Sequence, residues 1–290
     1  MAARQRGGAQ PSRPDSRHHG HKGRERLTNQ PNGYWRLFVW AEVARSREEA
    51  MGGEETSESI HAELARTYLT PNEVAGHSSP HDDCWVSFLG RVYNLTPLIQ
   101  DNPGELIQPI ADAAGKDISH WFDAKTGDVK RYMNLETGLE EYYTPMGRFL
   151  HIPPSNPTDD FVTDFDLPWW MDHQSAEPQY WVGMLSQQTR KIRIVNMLTK
   201  DEHTLEVCSE DTVEQIQGKY QPYNQHAGSY AWKRLPNPGE GKDMIVLDMA
   251  KTLNGNKMRD EAEDFEDLGL DDDYYVPSIH LYYKDDLTEG

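Results

Sequence analysis

The chain has 290 residues, with 48 Asp and Glu against 29 Lys and Arg, a formal charge of −19, and a hydrophobic share of 36%. That length allows two modest domains with tails, and the low apolar share leaves part of the chain loop-rich. The acidic balance disfavours nonspecific nucleic-acid binding, which needs a basic surface to displace counterions, and no apolar run reaches the length of a membrane span.

Residues 1–60 are expected to be a basic arm with a short amphipathic helix. Residues 1–26 hold seven Lys or Arg against two acids. Their Gly, Pro and His content predicts a segment that orders only on a partner. With no apolar core, it does not read as a secretory leader. Trp35, Phe38, Val39 and Val43 recur at helical spacing, so Trp35, Phe38 and Trp40 are candidate partner-docking residues, with docking on the protein's own core as the plainer reading. Residues 51–60 read as a linker.

A new organisation starts at Tyr68. Thr70 followed by Pro71 and Glu73 predicts a capped helix start. Residues 84–89 read as a strand, Gly90-Arg91 as a tight turn and residues 92–95 as a second strand. Thr96-Pro97 opens another short helix, residues 106–114 are helical, and residues 118–122 open the next. Short helices around a small sheet imply a compact α+β domain over residues 67–150.

Residues 151–186 carry five prolines and three tryptophans. Trp169, Trp170 and Trp181 are too costly to leave in water, and the prolines predict an extended connector strapped onto a surface. Residues 187–288 then switch to strand periodicity. Ile192, Ile194 and Asn196 face one way, and residues 204–207 complete a hairpin. An amphipathic helix follows with Val213, Ile216 and Tyr220 on one face, and further strands lie at 230–233, 244–247 and 278–283. Residues 260–273 hold nine acids and no Lys or Arg, which predicts a solvated face or a contact for a basic partner. Cys84 and Cys208 fall in different modules, which excludes a disulfide framework and suits a reducing compartment.

Three stretches resemble the cytochrome b5 haem-binding family: Tyr68-Leu69-Thr70-Pro71-Asn72-Glu73-Val74, Cys84-Trp85-Val86 with Gly90-Arg91-Val92-Tyr93-Asn94-Leu95-Thr96, and Ala114-Gly115-Lys116-Asp117-Ile118. The resemblance implies haem between two histidines, one in a His-Pro-Gly-Gly turn. Here that turn reads Asn102-Pro103-Gly104-Glu105, and the second ligand position falls near Thr126. Neither side chain is a competent axial ligand, so no cofactor is expected. The alternative is haem b with His120 as an axial ligand on a pocket helix beside Trp121, although a polar helix residue is the plainer reading of His120. His77 and His81 stand at i, i+4 with no obvious third metal ligand.

Residues 197–207 followed by Ser209-Glu210-Asp211-Thr212-Val213-Glu214 are similar to the opening hairpin and helix cap of ubiquitin-like domains, and residues 279–283 suit the closing strand of that β-grasp fold. The chain ends Asp285-Asp286-Leu287-Thr288-Glu289-Gly290 without a di-glycine tail, so a fixed interaction domain is expected, not a modifier. The two modules in this order resemble the cytochrome b5 domain-containing protein 1 family over residues 67–289, helped by Ile152-Pro153-Pro154 and Pro168-Trp169-Trp170 between them. That resemblance implies motile cilia and the radial spokes of the axoneme, and so a cytoplasmic, cytoskeletal location. The expected function is that of a non-catalytic structural component, with axonemal and radial-spoke proteins as partners, tubulin as an acidic surface for the arm, and neither nucleic acid nor membrane. The alternative is a haem-binding protein with a redox or sensing role in the cilium.

Overall fold

A computed structural model of the chain describes residues 57–154, 165–271 and 274–284. The expected arm and helix bearing Trp35, Phe38 and Trp40 lie outside these residues. Residues 57–60, expected as linker, instead begin helix α1 (Ser57–Leu64). Leu64 is its buried residue and joins the core of the first module, which is what holds the segment helical.

The capped helix forms as the sequence predicts. After β1 (Tyr68–Leu69), the Thr70 amide donates to the Glu73 carboxylate at 2.6 Å and the Glu73 amide to the Thr70 hydroxyl at 3.0 Å. This reciprocal cap satisfies two donors that the helix start leaves open, and is worth about 1 kcal/mol. Pro71 opens α2 (Pro71–Gly76), where no amide is needed. Strands β2 (Ser78–Ser79), β3 (Asp83–Phe88) and β4 (Arg91–Asn94) form an antiparallel meander. Leu89 and Gly90 both take positive φ between β3 and β4, the tight two-residue turn that matches strand twist.

Next come α3 (Thr96–Asp101), a 3-10 turn at Glu105–Ile107 and α4 (Gln108–Ala111). Another 3-10 turn at Ser119–Trp121 leads to a two-stranded ribbon, β5 (Arg131–Met133) and β6 (Glu140–Tyr142).

The described part of the segment expected as a surface connector instead packs its tryptophans into the first module's core. The 3-10 segment Trp169–Gln174 buries Trp169 and Trp170, and β7 (Trp181–Leu185) enters the first sheet, antiparallel to β4 and parallel to β1. The sheet order is β1-β7-β4-β3-β2. Asp172 fixes the turn into β7: its carboxylate accepts the amides of Gln179, Tyr180 and Trp181 at 3.0, 2.8 and 2.8 Å. Gly183 lets the strand lie against Thr67, because a Cβ there would stand 2.6 Å from the Thr67 carbonyl oxygen. Burial of three indoles outweighs the extended bias of the prolines.

The second module starts with the hairpin β8 (Thr189–Asn196) and β9 (Glu202–Cys208). Thr212 then caps α5 (Val213–Tyr220), with Gln215 closing the cap. Strands β10 (Tyr230–Arg234) and β11 (Ile245–Val246) follow, then α6 (Ala262–Asp267) and β12 (Ser278–Tyr283). The sheet order is β11-β10-β12-β8-β9, with β12 parallel to β8 at the centre. Ile192, Ile194, Leu205, Val207, Trp232 and Leu281 share a core with Val213, Ile216 and Tyr220 of α5. This arrangement is compatible with the β-grasp expectation. Among the described residues no helix is long and apolar enough to cross a membrane.

Candidate cofactor cleft and the inter-module contact

Asn102, at the first haem-ligand position, lies just past the end of α3. Its amide donates to the Leu98 carbonyl oxygen at 3.0 Å, so the side chain finishes the helix. Thr126, at the second position, is exposed in a turn. Asp123 accepts the amides of Lys125 and Thr126 at 2.7 and 3.3 Å, and the Thr126 hydroxyl accepts the Asp128 amide at 3.2 Å. Both residues therefore serve local chain reversal.

His120 does not stand on a pocket helix. It sits within the 3-10 turn, exposed, with its ring edge-on to Trp121 at 6.1 Å. Ser119 anchors that turn by accepting the Leu89 amide at 2.9 Å, and Ile118, Trp121 and Phe122 take the interior positions. Three residues per turn leave His120 on the outer side. Trp121 is buried and packs on Phe149 at 5.2 Å.

Tryptophans connect the two ligand positions. Trp169 lines a cleft of about 370 Å³ together with Leu98, Asn102, His151, Asp172 and Tyr180. Trp170 stands edge-on to Trp169 at 5.6 Å, and its Nε1 donates to Asp128 at 3.1 Å, two residues from Thr126. Phe122 and Phe149 pack against both indoles. These residues do not fit a two-histidine haem: neither ligand position offers imidazole, and the indoles lie between them.

His151 is the cleft residue that sequence reasoning missed. Its Nδ1 accepts the Trp169 amide at 3.0 Å, and its ring stacks on Phe165 at 3.9 Å. Burial pushes its pKa down to about 4, so the ring is neutral near pH 7 with its proton on Nε2. A lone His before Ile-Pro-Pro gave no signal of this. His77 has a different duty: it stacks on Trp85 at 3.9 Å and pairs with Asp83 at 2.7 Å. Among the described residues no group of three potential metal ligands converges. Cys84 and Cys208 are free and buried, and burial pushes both thiols up to about 12, which leaves them poor nucleophiles.

The two modules meet at Lys219 of α5. Its ammonium donates to Asp211 at 2.7 Å and to the Tyr68 carbonyl oxygen at 3.1 Å, and reaches within 3.5 Å of Cys208 Sγ and 4.0 Å of Glu73. Burial works against the ammonium, but the carboxylates of Glu73 and Asp211 outweigh it and raise its pKa. Alongside, Gln215 donates to the Arg66 carbonyl oxygen at 2.9 Å and Asn72 to Glu206 at 2.5 Å. The contact joins the capped helix of the first module to the capped helix of the second.

The sequence profile of the cytochrome b5-like heme/steroid binding domain matches residues 70–144. Cytochrome b5 domain-containing protein 1 of Xenopus tropicalis is 52% identical over 223 residues, covering 77% of this chain and 96% of that protein. Its namesake in Homo sapiens is 49% identical over 225 residues, covering 77% and 92%. A cytochrome b5 of rice is 33% identical over 95 residues, covering 30% and 65%. Fold and profile together define an α+β protein carrying a cytochrome b5-like domain. More narrowly, the chain belongs to the cytochrome b5 domain-containing protein 1 family. Phe149, Trp169, Trp170 and β7 all fall beyond the stretch that the domain profile matches.

Proposed function

We propose that this protein is a non-catalytic structural component of the motile-cilium axoneme, held among radial-spoke proteins in the cytoskeletal compartment. The Lys219 contact is the observation that carries the structural part of the reading. It turns a buried ammonium, already paired with Asp211 of its own module, onto the Tyr68 carbonyl oxygen and toward Glu73 of the other, which suits a fixed spacer better than a mobile carrier. The donor set at Asn102 and Thr126 points the same way. The ciliary setting rests on what the family resemblance implies. The test is a tagged chain in multiciliated cells. It should stay with the axoneme after detergent removes the membrane, and should be lost from axonemes that lack radial spokes. Quantitative release into the detergent extract would refute the assignment.

A second reading, a haem protein with a redox or sensing role, is favoured by His151, a neutral imidazole lining the cleft beside Asn102. Absorption spectroscopy of the purified chain with added haem separates the two. A Soret band that saturates at one equivalent and shifts in His151→Ala or His120→Ala supports the second reading.

A further inference from the structure

We propose that two copies of this chain pair through the ribbon β5–β6. The ribbon is a sheet of two strands, and neither outer edge pairs with another strand among the described residues. Two-stranded ribbons are marginal alone in water, yet this one carries an unusual apolar load. Leu135 is 95% exposed, Leu139 64%, Met133 58%, Tyr143 49% and Tyr132 44%. So many large apolar side chains within so short a stretch mark a contact surface.

The register sorts them. Tyr132 lies opposite Glu141 and Met133 opposite Glu140. The bonds from Asn134 N to Leu139 O and from Tyr143 N to Lys130 O extend the same register in both directions. One face therefore carries Lys130, Tyr132, Leu139, Glu141 and Tyr143, with the rings of Tyr132 and Tyr143 in edge contact at 6.1 Å. Glu141 stiffens this face: its carboxylate accepts from Tyr132 Oη at 3.1 Å, Asn134 Nδ2 at 2.9 Å and Thr137 Oγ1 at 3.3 Å. Asn134 Oδ1 in turn accepts the Glu136 amide at 2.9 Å and closes the tip. A surface already ordered loses little conformational entropy when covered.

Charge selects the occupant. The base of this face carries Lys130 and the tip carries Glu136, while Arg131 and Glu140 lie on the opposite face and pair with each other at 3.7 Å. A surface that runs from positive to negative along its axis is complementary to itself when reversed. A two-fold axis across this face places Lys130 of one copy opposite Glu136 of its partner and covers Tyr132, Leu139 and Tyr143 on both. The inference stands apart from the ciliary assignment.

Sedimentation velocity of the full chain over a wide concentration range tests it. A reversible monomer–dimer equilibrium is expected. Leu139→Glu and, separately, Leu135→Ser should each raise the dimer Kd about tenfold or more, with circular dichroism unchanged. Lys130→Glu and Glu136→Lys should each weaken the dimer, and the two changes combined in one chain should recover most of the loss. A chain that stays monomeric throughout overturns the proposal, even if another protein is later found on this ribbon. A dimer indifferent to both leucine variants overturns it too, and charge reversals that fail to compensate overturn the two-fold arrangement.

Discussion

Lys219 lies 2.7 Å from Asp211 within its own module and 3.1 Å from the backbone oxygen of Tyr68 in the other. Asp211 is 1% exposed, so the ammonium is what keeps a buried carboxylate tolerable. Removing one partner of such a pair costs about 3–5 kcal/mol. Lys219→Met should therefore lower stability by roughly that amount. Calorimetry should then show one unfolding transition for the natural chain and two for the variant, as the modules uncouple. Lys219→Met combined with Asp211→Asn should lose clearly less than the single change. An unmoved midpoint in Lys219→Met would show that the contact is incidental.

The first module needs chain from well past its recognisable domain. A fragment of residues 57–150 lacks Trp169, Trp170 and β7, and should show no cooperative thermal transition. A fragment of residues 57–186 should regain one. In the full chain, Trp169→Ala or Trp170→Ala should cost about 3–5 kcal/mol by denaturant titration. Cooperative folding of the shorter fragment would contradict the placement of β7 and the indoles.

At Gly183 β7 lies tight against the chain before β1, with the Thr67 carbonyl oxygen in the space that a Cβ needs. Gly183→Ala should destabilise by about 2–4 kcal/mol through overpacking and backbone strain. Hydrogen exchange should show the amides of Met184 and Ser186, which donate to Thr67 and Leu69 carbonyl oxygens, losing protection first. Retained protection there would count against the tight approach.

His151 makes stability depend on pH. Its folded pKa is depressed to about 4 from an ordinary 6.5, so the unfolded chain takes up a proton that the folded chain refuses. Stability is therefore fully present above about pH 6.5 and falls as pH drops toward 4, below which both states are protonated. With the ring only half-buried, the loss should be about 1–2 kcal/mol. Thermal midpoints of the natural chain and His151→Gln, followed from pH 7 to pH 4, should converge in the acid. Parallel curves would mean that His151 does not titrate as described.

Local chemistry announced much of the fold. Thr70 and Glu73 declared their helix start because a reciprocal cap is written in nearby residues, and β8 showed its buried face by alternation. The features that sequence reading missed are those set by distant partners. Residues 181–185 are a short run broken by Gly183, and nothing within them says that β4 and β1 will flank them. Trp169 and Trp170 signalled burial but not against which surface. His120 looked close to a pocket because it lies near Thr126 in sequence, but the tight turn at Ser119–Trp121 directs it outward. Lys219, on the polar side of an amphipathic helix, was indistinguishable from a solvated lysine until the first module covered it.

The placement of β7 bears on the order in which the molecule forms. Among the described residues strand β1 has one neighbour in its sheet, β7, so Tyr68 meets Met184 across more than a hundred intervening residues. On a ribosome, everything up to β6 emerges with β1 still unpaired and the indole sites empty. The first sheet closes only when residues 181–185 are out, by which time the hairpin of the second module is next in line. Such distant pairing is slow to find. Until β7 arrives, the nascent first half keeps the edges of β1 and β4 open and the apolar surface that receives the indoles uncovered.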